Sequence, residues 1–569
     1  MASKEAEQQI QELNQQVEEL LEKGKDAEAL ELAQGVCELA RRVLGENHPA
    51  TAISHDDLGV LLQKMGNLAA ARWYMEQALE IFRRVFGNDH PDTAIRLVNL
   101  GGLLRTTGDL ATARVYYEEA LKIFQSALGD DHSFTAYSRD TLGSVLEAMG
   151  EPETARTYYE QSLQIARCVQ GNDHRDIAKR LNNLGLLLYK MEDLAAGRSY
   201  LEQALGVCRR LFGDDHPETA DVLRNLGALL QKMGDLAEAR QCCERALDVH
   251  RRVLGDDDPD TATSFNNLGN LLLEIGELAG ARPYLEQALE IRRRVLGNDH
   301  PDTAGSLNNL GVLLQKMGNL AAARPYMEQS LEICRRVLGD HPETVNSLKN
   351  LCDLLDAMGD LTGERPYLEQ RIEIQRRMLG EDHPDTAVSL HSLGVVLGKM
   401  GDLAGAQPYL EQALEINRRV LGDGHPITVN CFNSLAHLLS DMGDMPAALE
   451  TALQALKIAR RELGDDHPAT ALSFNNVGLL LLEMGDLESA GPCLAEAMLI
   501  SRRVLGDDRV TITCLNNLGL ALKAAGNLNG ALDCYTDALE MIRRLLGEDV
   551  PELVALLNNL GTLFREGGS

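Results

Sequence analysis

A chain of 569 residues with 86 acidic against 55 basic side chains, formal charge −31, repels nucleic acid and anionic lipid at long range. Aromatics are only 4% while glycines number 50, an inventory of helix formers punctuated by glycine, with no segment of different composition. No apolar run reaches the roughly 18–20 residues that span a bilayer, and the polar start MASKEAEQQIQELNQQ lacks a signal-peptide core.

Eleven cysteines, an odd count without a Cys-x-x-Cys pair, suit a reducing compartment in which buried thiols act as small hydrophobes. The expected location is therefore cytoplasmic.

The first expected helix, 4–23, is Gln/Glu-rich and reads as a degenerate, solvated N-terminal cap. A Gly-x-x-His-Pro element, or a close variant, then recurs at His48, His90, His132, His174, His216, His300, His341, His383, His425 and His467. Asp258, Arg509 and Val550 stand at the equivalent place in the other copies. The step is 42 residues, except for two of 41, at 300–341 and 509–550. The stretch LLQKMGNLAAAR occurs unchanged at 61–72 and 313–324. Self-similarity at such a period marks a repeat architecture.

One unit, 297–338, shows the local logic. Leu307, Leu310, Leu314 and Met317 fall on one helix face. Asp299 and His300 are capping candidates and Pro301 suits the first turn. Gly318 and Asn319 end this helix. A second begins near Leu320, with Ala323, Met327, Leu331, Val337 and Leu338 as its apolar positions. It closes on Arg335 and Arg336, which complement the helix dipole, and ends at Gly339. The unit is a helical hairpin.

Thirteen hairpins are expected, with first helices near 4–23, 49–65, 91–107 and so on to 510–525, followed by a lone helix at 551–566. The organisation is a cap at 1–23, a continuous array over 24–550, and a capping helix with a short tail at 551–569. The Gly567-Gly568-Ser569 end reads either as a natural cap or as the stump of a longer chain.

Leu310-Gly311, Leu314, Ala323, Met327 and Ser330 reproduce the small and large positions of a tetratricopeptide repeat (TPR). The segments HPxTAxSLNNLGxLL and ARPYxEQxLEIxRRVLG resemble the 42-residue kinesin light chain type, over roughly 24–566. The resemblance implies an all-α, right-handed superhelical solenoid whose first helices line a concave groove. Kinesin light chains also carry a motor-binding heptad coiled coil ahead of their repeats. Here about one short helix precedes them, so the resemblance carries the groove and not the motor partnership.

Relative to the Leu-Gly glycine, positions −6, −3, +1, +4 and +5 are expected to face inward, since these offsets share one helical stripe. Asparagine dominates position −3, where amides can pair with any extended backbone. The alternative is that these amides bond neighbouring helices and set repeat spacing. That structural role is expected for the −2 set (Asn99, Asn183, Asn225, Asn267 and Asn309), which should point toward the next repeat.

Acids and bases nearly cancel over the inward positions. Cations gather early, while Asp353, Asp356, Asp441 and Glu483 fall later. The expected peptide-binding residues are Lys179, Asn182, Lys190, Arg224, Lys232, Asn266, Asn270, Asn308 and Lys316, receiving an extended and acidic peptide. The alternative for the lysines is simple solvation.

No catalytic or metal site and no cofactor are expected. Successive cap histidines are too far apart to share a metal, and His391 and His437, on adjacent hairpins, lack a carboxylate or cysteine pattern. Cys242-Cys243 reads as core. Trp73 is alone, without an aromatic platform for nucleic acid, and no phosphate loop, Gly-x-Ser-x-Gly or HExxH occurs.

The function read from the sequence is a non-enzymatic scaffold or adaptor that binds a protein or extended peptide, with self-association of the arrays as a second mode of contact. A competing reading is a sensor or regulatory array whose effector domain lies outside this chain.

Overall fold

In the computed structural model, which describes residues 2–22, 25–545 and 551–567, the chain is 84% helical, with no strand among these residues. Residues 23, 24, 550, 568 and 569, on which the expected cap boundaries, Val550 and the Gly568-Ser569 end fall, lie outside the described set.

The helices pair as hairpins 1 to 13. The first seven are Ala2–Glu22 with Asp26–Leu44, Pro49–Lys64 with Leu68–Phe86, Pro91–Thr106 with Leu110–Leu128, Ser133–Ala148 with Pro152–Gln170, Arg175–Lys190 with Leu194–Phe212, Pro217–Met233 with Leu236–Val253, and Pro259–Ile275 with Leu278–Val295. The next six are Pro301–Lys316 with Leu320–Val337, Pro342–Met358 with Leu361–Leu379, Pro384–Lys399 with Leu403–Val420, Pro426–Asp441 with Met445–Glu462, Pro468–Glu483 with Leu487–Leu505, and Arg509–Ala524 with Leu528–Leu545. Helix Pro551–Gly567 follows. Contacts divide the chain into two units, Met1–Ile291 and Arg292–Ser569.

The Gly-x-x-His-Pro-x-Thr element, or a variant of it, builds the entry to the first helices of hairpins 2 to 13. The histidine is the N-cap: His300 Nδ1 accepts the Asp302 N–H at 3.1 Å, and the other nine cap histidines do the same at 3.1–3.2 Å. Thr303 donates back to the Gly297 carbonyl at 2.8 Å, closing the loop, and Gly297 sits at φ +90°, where a β-carbon would be strained.

In hairpin 13 the cap is Asp508, whose carboxylate accepts the Val510 N–H at 2.8 Å, and not Arg509 as the sequence spacing suggested. Arginine has no acceptor to offer a helix start. The second 41-residue step therefore lies between 467 and 508.

Within a hairpin the two helices cross at the Leu-Gly glycine. A β-carbon on Gly185 would lie 2.6 Å from Leu201 Cγ, and one on Gly311 2.6 Å from Met327 Cγ, each facing the residue sixteen positions later. Hairpin 11 has Ala436 in place of this glycine, and its sixteenth residue is shrunk to Ala452, both fully buried. The added methyl is matched by a removed side chain.

Hairpin 9 has no such compensation. Cys352 replaces the glycine opposite Leu368. Glu364 stands where Ala71, Ala323 and Ala406 stand elsewhere, and Arg371 where Ala78 and Ala413 do. Its two helices approach each other less closely than those of hairpin 10. Glu364 is 5% exposed, and Oε2 has no hydrogen-bond partner. Burial pushes this carboxyl up to about 7; Asp356 adds to the rise, Lys399 opposes it and Asp353 adds further.

Successive hairpins meet through an apolar core, and at four junctions, between hairpins 6 and 8 and between hairpins 9 and 11, a buried polar pair whose members lie fourteen residues apart pins it. His250 Nδ1 lies 2.8 Å from Ser264 Oγ, and Arg292 Nη1 donates to Ser306 Oγ at 2.8 Å. Ser389 Oγ donates to Gln375 Oε1 at 2.5 Å, and Asn417 Nδ2 to Cys431 Sγ at 3.4 Å.

Two expectations follow. Gly185→Ala should destabilise by about 1–3 kcal/mol through overpacking, and Gly185→Ala with Leu201→Ala should cost about 1 kcal/mol less than the two single changes added; denaturant titration of the four proteins measures the coupling. Glu364→Ala should stabilise, and more so at pH 8 than at pH 5. The native carboxyl keeps its proton to about 7 against an ordinary 4.5, so wild-type stability falls as pH rises through that window. The difference in benefit should be on the order of 2 kcal/mol, read from unfolding midpoints at the two pH values.

Candidate functional site

Within each unit, first helices touch the first helices of adjacent hairpins. Examples are Arg175–Lys190 with Pro217–Met233, and Pro384–Lys399 with Pro426–Asp441, the latter in turn with Pro468–Glu483. Among the described residues no two second helices are comparably close. The first helices thus occupy the inner side of each unit's bend, and their −3, +1 and +4 positions face along it.

Two ladders of side chains run across this face. In one, the −2 residue of a hairpin bonds the −3 residue of the hairpin before it. Asn225 donates to Asn182 at 2.8 Å, Asn350 to Asn308 at 3.0 Å and Asn517 to Asn475 at 2.9 Å. Asn99 donates to Asp56 at 2.7 Å, and His391 Nε2 lies 2.8 Å from Ser434 Oγ. Asn99 and Asn225 of the expected −2 set therefore reach back to the preceding repeat, not forward as their helical offset suggested.

In the second ladder, the +4 residue of one hairpin meets the +5 residue of the next. Lys190 bonds Glu147 at 2.7 Å, Lys399 bonds Asp356 at 2.7 Å, Ser440 donates to Glu483 at 3.0 Å and Gln231 donates to Glu274. Partners stand one repeat plus one residue apart, usually 43, or 42 across a 41-residue step.

The expected site residues fall into three groups. Lys179 is exposed and, among the described residues, unpaired, in a cleft of about 430 Å³ with Tyr137, Asp140 and Asp176. Lys316 is exposed and likewise without a partner among the described residues, and Asn270 is half-buried.

Lys190 and Lys232 are exposed but ion-paired. Lys232 bonds Glu192 at 3.0 Å and lies 5.0 Å from the Tyr189 ring centre, which places it beside the helix end that carries Lys190. Exposed pairs of this kind contribute about 0–1 kcal/mol and exchange partners readily.

The rest are held by the protein itself. Arg224, 16% exposed, is clamped by Asp221 at 2.7 Å and Asp260 at 3.1 Å. Asn182 and Asn308 spend their carbonyl oxygens on the ladder, and Asn266 is buried. Asn308 and Lys316 belong to the second unit, the others to the first.

Asp140, beside Lys179, is pushed up to about 6 by burial, with Arg180 opposing and Asp176 adding. Burial raises Asp221 against the pull of Arg224, and burial lowers its neighbour His250. Cys243 is pushed up to about 12 by burial in the core, so it is no nucleophile.

Reasoning by position within the repeat placed Glu147 on the inward face without pairing it with Lys190, and missed Glu192 and Asp260, the partners of Lys232 and Arg224. A search for complementary residues 43 apart finds Glu147 with Lys190 and Asp356 with Lys399. Among the described residues no group of three or more His, Cys, Asp or Glu side chains could hold a metal, and no helix is long and apolar enough to cross a membrane.

The tetratricopeptide repeat family model matches twelve segments, from 19–84 through 515–569, that leave only 168–175 uncovered between them and span nearly the whole chain. No curated protein matches. Among solved structures, BtubC (BKLC) from P. vanneervenii aligns at 24% identity over 43% of this chain and 92% of that one, with a TM-score of 0.35. The nearly identical TPR-like repeats of a Podosopora anserina protein assigned as a kinesin light chain align at 22% identity, over 36% of this chain and 99% of that one, with a TM-score of 0.32. With the repeat motif, the hairpins and the family model agreeing along the sequence, the chain belongs to the tetratricopeptide repeat family.

Proposed function

We propose that the protein is a non-enzymatic scaffold that docks another polypeptide, in extended form, along the inner face of its first helices. One observation carries this reading: the face is lined by polar and charged side chains arranged in rows, so that an extended backbone could find a donor or acceptor at each hairpin.

In the first unit the docking stretch is taken to run from Lys179 to Asn270, with Asn182, Lys190, Arg224, Lys232 and Asn266 between them. Asn308 and Lys316 continue the same positions in the second unit. The cations of the first unit favour a partner with acidic residues. Lys179 offers an unclaimed ammonium, whereas Lys190 and Lys232 can trade Glu147 and Glu192 for carboxylates of the peptide at little cost. Arg224 supports the site by holding Asp221 and Asp260 in place.

A labelled oligo-glutamate dodecamer, titrated by fluorescence anisotropy, tests the charge assignment. Lys179→Ala with Lys232→Ala should weaken binding about tenfold and flatten the dependence of log Kd on log salt. Unchanged affinity and salt slope would remove these lysines from the site.

A further inference from the structure

The second unit holds a feature that neither ladder explains. A cavity of about 430 Å³ opens on the inner face between the first helices of hairpins 10, 11 and 12. Its floor is apolar, formed by Gly394, Val395, Leu410 and Leu438, and Ser434, His437, Asp441 and Asn476 stand around it.

Two local departures from the repeat create it. The first is Gly398. At this +4 position other hairpins carry Gln63, Glu147, Gln231, Gln315 or Asp356, a side chain that lies across the face. Here nothing does. A β-carbon at Gly398 would meet only Leu438 Cδ1, at an ordinary 3.7 Å, so no close packing demands the glycine.

The second is a missing rung. By the rule of the first ladder, Asn476 should donate to Asn433. Instead Asn433 Nδ2 donates to Ser473 Oγ at 3.1 Å, and that hydroxyl reaches back to Asn433 Oδ1 at 3.3 Å. The Asn476 amide is left without a protein partner among the described residues and lines the cavity. A half-buried amide in a concave apolar site is suited to hold a peptide group that arrives from outside.

The charge on the rim sets what arrives. Lys399, the one cation among the described residues that line the cavity, is already neutralised by Asp356 at 2.7 Å. Among the described residues Asp441 is paired only with His437, at 3.1 Å, and Glu483 only with the Ser440 hydroxyl, so neither carboxylate has a lysine or arginine partner. The surroundings favour positive charge, opposite to the lysine-bearing stretch of the first unit.

We infer that this cavity is a socket for one bulky apolar side chain of an extended peptide, flanked by lysine or arginine. The Asn476 amide holds the peptide backbone, and Asp441 and Glu483 meet the flanking cations. This rests on the reading of the inner face as a docking surface, and adds a second subsite of opposite charge preference.

The test uses the full chain and three labelled peptides with a common Gly-Ser frame around Lys-Lys-Phe-Lys-Lys, Lys-Lys-Ala-Lys-Lys or Glu-Glu-Phe-Glu-Glu. The third, suited to the lysines of the first unit, should be unaffected by changes in the socket, whereas the first should bind at least tenfold more tightly than the second. Gly398→Gln, which restores the side chain found at Gln231 and Gln315, should weaken it about tenfold while leaving the unfolding midpoint equal or higher, because glutamine is the better helix former. Asn476→Ala should weaken it severalfold.

No saturable binding up to about 1 mM overturns the socket, as does equal affinity for the alanine peptide, or indifference to Gly398→Gln. If the oligo-glutamate probe still binds through Lys179 and Lys232 in that case, the docking face stands and only the socket falls. If neither probe binds, the docking reading itself fails.

Discussion

The fold depends on how closely two helices can cross. A bare glycine on the first helix lets the residue sixteen positions later sit at a distance that no β-carbon would permit. That approach makes each 42-residue unit a rigid hairpin. A hairpin alone cannot bury its apolar face, so stacking on its neighbours supplies the core. The exceptions show the constraint at work. Hairpin 11 respects it by trading bulk between Ala436 and Ala452, whereas hairpin 9 places Cys352, Glu364 and Arg371 at small positions and is left with a buried carboxyl that keeps its proton to about neutral pH.

Much of this was legible in the sequence because it is local. The Gly-x-x-His-Pro element announces a capped helix, and thirteen hairpins with a last helix follow from counting it. What the spacing could not convey was the identity of one cap. Asp508 and Arg509 are adjacent, and only hydrogen-bonding chemistry separates them. The face was read less completely. Offsets within a helix indicate which side chains share a stripe, but not which stripes of neighbouring helices come into register. Hence Arg224 looked like a free cation although Asp221 and Asp260 hold it, and Asn99 and Asn225 looked forward when they bond backward. The register is one repeat plus one residue, a lag invisible until two helices are placed side by side.

The two ladders also organise the inner face. Rungs made of amides or ion pairs hold adjacent first helices at a set offset, and where a rung is complete the side chains answer to one another. Interruptions are therefore informative. Lys179 stands outside both ladders, and Asn476 is released from one because Asn433 turns to Ser473. Binding capacity resides in the polar groups that the architecture does not consume.

The buried polar pairs between hairpins bear on how such a chain can change length. From Ser264 onward the first-helix member is a small hydroxyl or thiol (Ser306, Ser347, Ser389, Cys431, Ser473, Cys514), while its opposite number varies through His250, Arg292, Cys334, Gln375 and Asn417. A near-constant lock accepts many keys. Duplication or excision of one whole cassette in this region by recombination would leave every junction facing a compatible small polar group, while each crossing, whether glycine, Ala436 or Cys352, travels intact with its partner inside the cassette. Copy number is then free to drift in whole-hairpin steps without a repacked core.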